Sequence, residues 1–232
     1  MVDVIGYQRW DSLLFLHWPV PHSVLRPLVP ERLALDTFEG RAYVSITPFT
    51  VVGARLMLLP RIPGLATFHE LNVRTYVRFE DDPGVWFFSL DAASALAALL
   101  ARISVRLPYY FAYIERHRVG SRFRYRCERY KTGLAADATV IASWEVSPEA
   151  GPAEPGSLDY FLCERYVLFS HAVGRRFWRG RVRHAPWALQ PVHNLQVTQN
   201  IDIADGLPRL GSEVIARYSA GVDVEFLRLR LV

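Results

Sequence analysis

Four side chains able to do chemistry alternate along one stretch of the chain, residues 68–79. Glu70, Asn72, Arg74 and Tyr76 fall on one side, followed by Arg78; Val73, Thr75, Val77 and Phe79 fall on the other. A strand has a two-residue side-chain period and rises about 3.3 Å per residue, so successive members of the polar side stand roughly 6.6 Å apart. The row offers a carboxylate to move a proton, an amide to give and accept hydrogen bonds, a planar guanidinium that matches a carboxylate, and a phenol. Turned to solvent, it is an ordinary wet face. Turned inward, it lines a pocket. Pattern alone leaves both readings open.

The elements that must position this row are mostly strands. Leu13–Trp18 reads as a buried first strand ended by Pro19 and Pro21, and His22–Leu28 as a short helix closed by Pro30. Leu33–Asp36 and Ala42–Val52 read as strands, the second beginning after a turn at Glu39-Gly40. Met57–Leu65 is an apolar loop holding prolines and a glycine, of the kind that caps a pocket, meets a partner or packs on its own core. After the polar row, Asp81-Asp82-Pro83-Gly84 predicts a tight turn and Val85–Leu90 a central strand, together a hairpin. Asp91 is placed to N-cap an apolar helix over Ala92–Ile103. Phe111–His117 and Ser121–Tyr130 pair about Val119-Gly120, with Phe123, Tyr125 and Cys127 inward and Arg122, Arg124 and Arg126 outward. Thr139–Val146 continues the sheet, Ser147–Gly156 is a surface loop, and Ser157 caps a short helix. Arg165–Phe169, Phe177–Arg183 and Leu195–Ile203 read as strands, with a rigid aromatic corner at His184-Ala185-Pro186-Trp187. In the last strand, Val222–Leu231, the alternation slips at Phe226-Leu227, which predicts a β-bulge.

At 232 residues with 51% hydrophobic content, the chain reads as a single domain, 1–232, with ample core. The net charge is +4, yet Lys131 is the only lysine, so 26 of the 27 basic residues are arginine. They are scattered among acids without a basic stripe, which argues against nucleic acid as a partner. Cys127 and Cys163 stand apart and outside any CxxC pattern, and the N-terminus has no leader-like segment. The expectation is two buried thiols in a reducing cytoplasm. No apolar run reaches the roughly 20 residues needed to span a bilayer as a helix, so no membrane is expected. GxGxxG, GK[ST] and GxSxG are all absent, and the seven histidines are dispersed, so neither a cofactor nor a metal is expected. His69-Glu70 begins like a zinc-protease helix, but Val73 stands where the second histidine belongs.

Five segments carry a family resemblance: Leu25–Glu31, Phe68–Val77, Pro83–Asp91, Leu158–Tyr166 and His184–Trp187. They resemble the uncharacterised YqjF-like bacterial family, over about residues 10 to 230, a branch of the acetoacetate decarboxylase-like superfamily. The resemblance implies an α+β, mainly antiparallel β fold: a cone-shaped barrel with a few peripheral or capping helices, an internal pocket, and a homo-oligomer. Acetoacetate decarboxylases carry a Schiff-base lysine beside a second lysine. The matching stretch here, Val105-Arg106-Leu107-Pro108-Tyr109-Tyr110, has valine at the nucleophile position and Arg106 as its cationic neighbour. A Schiff base needs a primary amine, so that route is closed at this position. The family's pocket acid aligns with Glu70.

Two function readings follow. In one, the chain is a small-molecule enzyme acting on a small carboxylic or oxo acid without a Schiff-base lysine. Glu70 is its general acid or base, Arg106 and Arg74 bind a carboxylate, Asn72 lines the pocket, and Tyr76, Tyr109 and Tyr110 orient an oxo group. In the other, the pocket is kept for binding and the chemistry is lost. An internal Glu70–Arg74 ion pair is the plain structural alternative to both.

Overall fold

The polar row forms a strand over its whole length, Phe68–Phe79. The computed structural model around it describes residues 3–57, 66–95, 98, 107–130, 136–171 and 176–232. Strands dominate: β1 (Val4–Val20), β2 (Ala34–Leu35), β3 (Ala42–Leu56), β4 (Phe68–Phe79), β5 (Asp82–Ala92), β6 (Tyr109–Val119), β7 (Arg122–Arg129), β8 (Ala138–Val146), β9 (Val167–His171), β10 (Phe177–Arg183), β11 (Gln190–Gln199), β12 (Ile215–Leu227) and β13 (Arg230–Leu231). The helices that lie wholly within the described residues are short: α1 (His22–Leu25) running into a 3₁₀ turn at Arg26–Leu28, α2 (Leu158–Cys163) and α3 (Ile201–Ala204).

The sheet closes on itself. The order β5-β6-β7-β8-β11-β12-β1-β3-β4 returns to β5 through the β4–β5 pairing, a closed barrel of nine strands. Its one parallel contact is β5 with β6. β9 and β10 close a second, smaller circuit, because β9 pairs with β5 and β10 with β12. Strands β12, β1, β3, β4 and β5 are therefore shared by both circuits. Each shared strand uses both of its faces. Leu14, Leu16 and Trp18 of β1 pack in one cluster with Phe123 and Trp144 across the barrel. Leu13 and Phe15 pack in another with Val182 of β10 and Leu162 of α2. Each fully buried Leu or Phe contributes about 1.5–3 kcal/mol relative to exposure, so two-sided burial makes these five strands the rigid part of the fold.

Local chemistry sets several of the elements as expected. Glu39 and Gly40 both take positive φ, 49° and 77°, the two-residue turn that matches strand twist. On β7, Phe123, Tyr125 and Cys127 are buried and Arg122, Arg124 and Arg126 exposed. Ser157 Oγ accepts from Tyr160 N–H at 3.2 Å and caps α2.

Other expectations are corrected. The turn after β4 is Glu80-Asp81, since Phe79 pairs with Asp82. Pro83 and Gly84 lie inside β5. A Cβ on Gly84 would stand 2.7 Å from the Val167 carbonyl oxygen, so this glycine serves the approach of β9 and not a turn. Asp91 caps no helix. It ends up buried in β5 and held by Arg129. Of the helix expected over Ala92–Ile103, Ala92 instead ends β5, Ala95 and Ala98 are helical with Ala98 N–H donating to the Ser94 carbonyl, and 96–97 and 99–103 lie outside the described residues, as does nearly all of the loop Met57–Leu65. β1 begins at Val4, well before Leu13, because Ser12 at φ 54° shifts the alternation and hides its first half. Ile201–Ala204 is helical, against the expected strand. β12 starts at Ile215 and ends at Leu227. The slip at Phe226-Leu227 is a true irregularity, but the extra residue is Ile5 of β1, between Val4 and Gly6.

Candidate functional site

The hairpin β3–β4 builds the site. Its register sets Thr47 opposite Asn72, Phe49 opposite Glu70 and Ser45 opposite Arg74. On the far side of β4, Asn72 pairs with Leu90 and Glu70 with Ala92. In the parallel contact, Leu90 pairs with Tyr109 and Ala92 with Phe111. One face thus carries Thr47, Asn72, Leu90 and Tyr109 in one row and Phe49, Glu70, Ala92 and Phe111 in the next.

This face is not wet. Glu70 is 4% exposed and Asn72 6%. Burial raises the Glu70 carboxyl from its ordinary value to about 8, the Tyr109 hydrogen bond lowers it, and Asp91 adds a further upward push. Glu70 therefore holds its proton at neutral pH. Tyr109 Oη donates to Glu70 Oε2 at 3.2 Å, and Tyr125 Oη donates to the Glu70 main-chain oxygen at 3.1 Å. Tyr109 is itself held well above the usual phenol range, by burial and then by Glu70. The Glu70–Arg74 ion pair is absent among the described residues, and Arg74 is not among the groups that shift Glu70.

Arg74 lies instead over the ring of Phe15, 5.9 Å from its centroid. Its Nε is buried without a hydrogen-bond partner among the described residues, as are Thr47 Oγ1 and Asn72 Oδ1. Three unpartnered polar atoms thus fall on neighbouring positions of one face, each a group whose burial without a partner costs about 1–3 kcal/mol. The guanidinium also acts on its surroundings. It helps hold His17 neutral, second only to burial.

His17 anchors a relay under that cation. Its Nδ1 lies 2.6 Å from Ser45 Oγ and 3.0 Å from Tyr76 Oη, and its Nε2 lies 3.9 Å from Cys163 Sγ. Ser45 Oγ and Tyr76 Oη are 2.6 Å apart, and Tyr76 Oη donates to the Leu162 carbonyl at 2.9 Å. Burial pushes the Cys163 thiol far up and the Tyr76 phenol to about 12. The cluster is neutral and satisfied, so it forms a rigid wall and not a nucleophile.

The sequence-predicted residues separate into groups. Glu70, Asn72, Arg74 and Tyr109 share the buried face. Tyr76 belongs to the His17 wall. Tyr110 points into the barrel on the opposite side, where the Arg129 guanidinium sits 4.5 Å from its ring centroid. There Arg129 binds Asp91 through two 2.6 Å hydrogen bonds and Asp205 through a third. Arg106 and Lys131 lie outside the described residues. Sequence reasoning misses Thr47, His17, Ser45 and Cys163 as members of the site. The alternation Tyr43, Ser45, Thr47 is visible in the sequence, and pairing it across the β3–β4 hairpin finds Thr47. Among the described residues no group of three His, Cys, Asp or Glu could hold a metal ion, and no helix is long and apolar enough to cross a membrane.

With that geometry in view, the DUF2071 family, an uncharacterized conserved protein family, matches residues 7–223. The chain belongs to this family. A relative from Bacillus subtilis (strain 168), the uncharacterized protein YqjF, is 38% identical over 223 residues, spanning 96% of this chain and 90% of its own. Solved structures place the DUF2071 chain in the acetoacetate decarboxylase-like fold. The enduracididine biosynthesis enzyme MppR complexed with pyruvate superposes with a TM-score of 0.67 at 16% identity, covering 100% of this chain and 91% of its own. The acetoacetate decarboxylase of Legionella pneumophila gives 0.66 at 10%, covering 98% and 87%. An acetoacetate decarboxylase-like enzyme from Sphingomonas wittichii RW1 gives 0.67 at 13%, covering 100% and 94%.

Proposed function

We propose that this chain takes a small carboxylic or oxo acid on the Glu70 face and works without a Schiff-base lysine. The observation that carries the reading is the set of unpartnered atoms Thr47 Oγ1, Asn72 Oδ1 and Arg74 Nε beside a buried, protonated Glu70. Arg74 makes a cation–π contact with Phe15 and no ion pair among the described residues, and a planar guanidinium pairs best with a carboxylate. Thr47 donates to the guest, and Asn72 Oδ1 accepts from a hydroxyl or hydrate. Neutral Glu70, steadied by Tyr109, donates a hydrogen bond to an oxygen of the guest. A fold neighbour, MppR, has been solved with pyruvate, an acid of this class.

A second reading keeps the acid site and drops turnover. It is favoured by the amine count: with Lys131 the single lysine, the sequence offers no pair of lysines to form and activate a Schiff base. Both readings take the same guest and differ in whether it is consumed.

The test is a thermal-shift screen with small oxo acids, their esters and apolar ring compounds, on wild type and Glu70→Gln. An acid at 100 times its dissociation constant stabilises by about 2.7 kcal/mol, which raises the melting temperature visibly. The reading expects stabilisation by acids and not by esters, altered in Glu70→Gln. Equal response to acids and esters, or none to either, would sink it. Loss of acid over time separates the enzyme from the binder.

A further inference from the structure

The segment Leu25–Glu31 takes no part in the acid site. It builds a groove elsewhere. Leu25 and Val29 are buried and anchor the turn to the core, which leaves Pro27 and Leu28 on the outside. Arg26 cinches the turn from within. Its guanidinium donates to the Leu33 carbonyl at 2.5 Å, to the Pro30 carbonyl at 2.7 Å and to the Val29 carbonyl. Against this rigid corner stand Trp86 of β5 and His171 at the end of β9, edge to face with ring centroids 4.7 Å apart. Together they bound a groove of about 470 Å³ that opens to solvent. That volume lies within the roughly 300–1,000 Å³ of ordinary small-molecule sites. The groove is separate from the acid site. Trp86 packs in the cluster that holds Phe79 and Phe177, while Phe15 and Phe49, beside Arg74 and Glu70, belong to the other.

We propose that this groove is a second binding site, and that it takes a small primary amine with a flat apolar body. The ammonium pairs with Glu31, and the body lies against Trp86, Leu28 and the two prolines. The lining sets this class. Pro27, Leu28, Pro30 and Trp86 supply apolar walls, and Glu31 is the acid among the lining residues. Glu31 is exposed and has no hydrogen bond or ion pair among the described residues, so its carboxylate is free to pair. Arg26, the cation of the lining, has its donors taken up by three carbonyl oxygens, so it offers little to an anion. Partial burial lowers the His171 imidazole from its ordinary 6.5, so it is uncharged at neutral pH and does not repel an ammonium. A carboxylate this open to water adds about two- to fivefold to affinity, and contact with the apolar walls supplies the rest.

Calorimetric titration tests it with tryptamine and with tryptophol, which has the same ring system and a hydroxyl in place of the ammonium. The proteins are wild type, Glu31→Gln and Leu28→Arg. Both positions are exposed, Leu28 by 39%, so neither change disturbs the core. Tryptamine is expected to bind wild type at one saturable site, about two- to fivefold tighter than tryptophol. Glu31→Gln removes that margin and leaves tryptophol unchanged. Leu28→Arg sets a cation in the groove and abolishes tryptamine binding. No saturable binding of tryptamine to wild type, a margin that survives Glu31→Gln, or an affinity unchanged in Leu28→Arg overturns the site.

Discussion

Tyr109 Oη donates to Glu70 Oε2 at 3.2 Å, and this hydrogen bond links β4 to β6, two strands that do not pair with each other and both pair with β5. It fixes a carboxyl that burial has already pushed up to about 8. The proton on Glu70 is thus a property of the fold, set by where β4 turns its polar side.

That proton has a thermodynamic signature. In the unfolded chain Glu70 ionises near 4.5, and in the folded chain near 8. Between those values the folded state binds the extra proton, so this group's contribution makes stability fall as pH rises. The whole shift corresponds to about 4–5 kcal/mol lost by pH 9. Glu70→Gln removes the titration. Urea unfolding at pH 5, 7 and 9 should show wild type losing stability relative to Glu70→Gln as pH rises. Parallel pH profiles would show that Glu70 ionises normally.

His17 gives the opposite slope. Its folded value lies well below 6.5, from burial first and Arg74 second. Below pH 6.5 the unfolded chain takes up a proton that the folded chain refuses, so stability falls with acid. His17→Gln should flatten that acid limb. Cys163, 3.9 Å from the same ring and fully enclosed, should resist a thiol reagent in the native protein and react on unfolding. Native labelling of Cys163 at the rate of a free thiol would contradict the description of a closed, neutral wall.

Arg129 is the buried charge that the barrel interior depends on. It holds Asp91 and Asp205 at once, and Ser89 as well, through a 2.7 Å hydrogen bond. Arg129→Met leaves two buried carboxylates without a cation and should cost about 3–5 kcal/mol, read as a lower urea midpoint. Adding Asp91→Asn should recover part of the loss. A small effect from Arg129→Met would mean that water reaches the cluster.

Gly84 should tolerate no side chain. Gly84→Ala sets a methyl 2.7 Å from the Val167 oxygen and 2.8 Å from the Phe169 ring. The expected cost is about 1–3 kcal/mol. Gly151→Ala, where a Cβ meets nothing within 4 Å, is the matched control and should change stability little. Equal effects would place Gly84 in a looser junction than β5 and β9 form here.

The residues explain what the sequence makes legible. The strand Phe68–Phe79, the turn at Glu39-Gly40, the Ser157 cap and the in-out alternation of β7 are local: each is set by neighbours within a few positions. Asp91 misleads for the opposite reason. As an acid ahead of an apolar run it has the look of a helix cap, and its true partner, Arg129, is 38 residues away and arrives only when the barrel closes. Gly84 after Pro83 has the composition of a turn, while its reason is the passage of β9. Glu70, Asn72 and Arg74 are readable as one face because they share a strand. Thr47 and Phe111 join that face only through cross-strand register, which no single stretch of sequence displays.

The most direct measurement is calorimetric titration of pyruvate into wild type and Arg74→Gln, with Arg124→Gln on the exposed side of β7 as the control. Pyruvate should bind wild type and Arg124→Gln alike with one saturable site. Loss of a charge-assisted contact worth about 1.5–3 kcal/mol should weaken Arg74→Gln by ten- to a hundredfold. No saturable binding to wild type, or the same affinity in Arg74→Gln, would contradict an acid site on the Glu70 face.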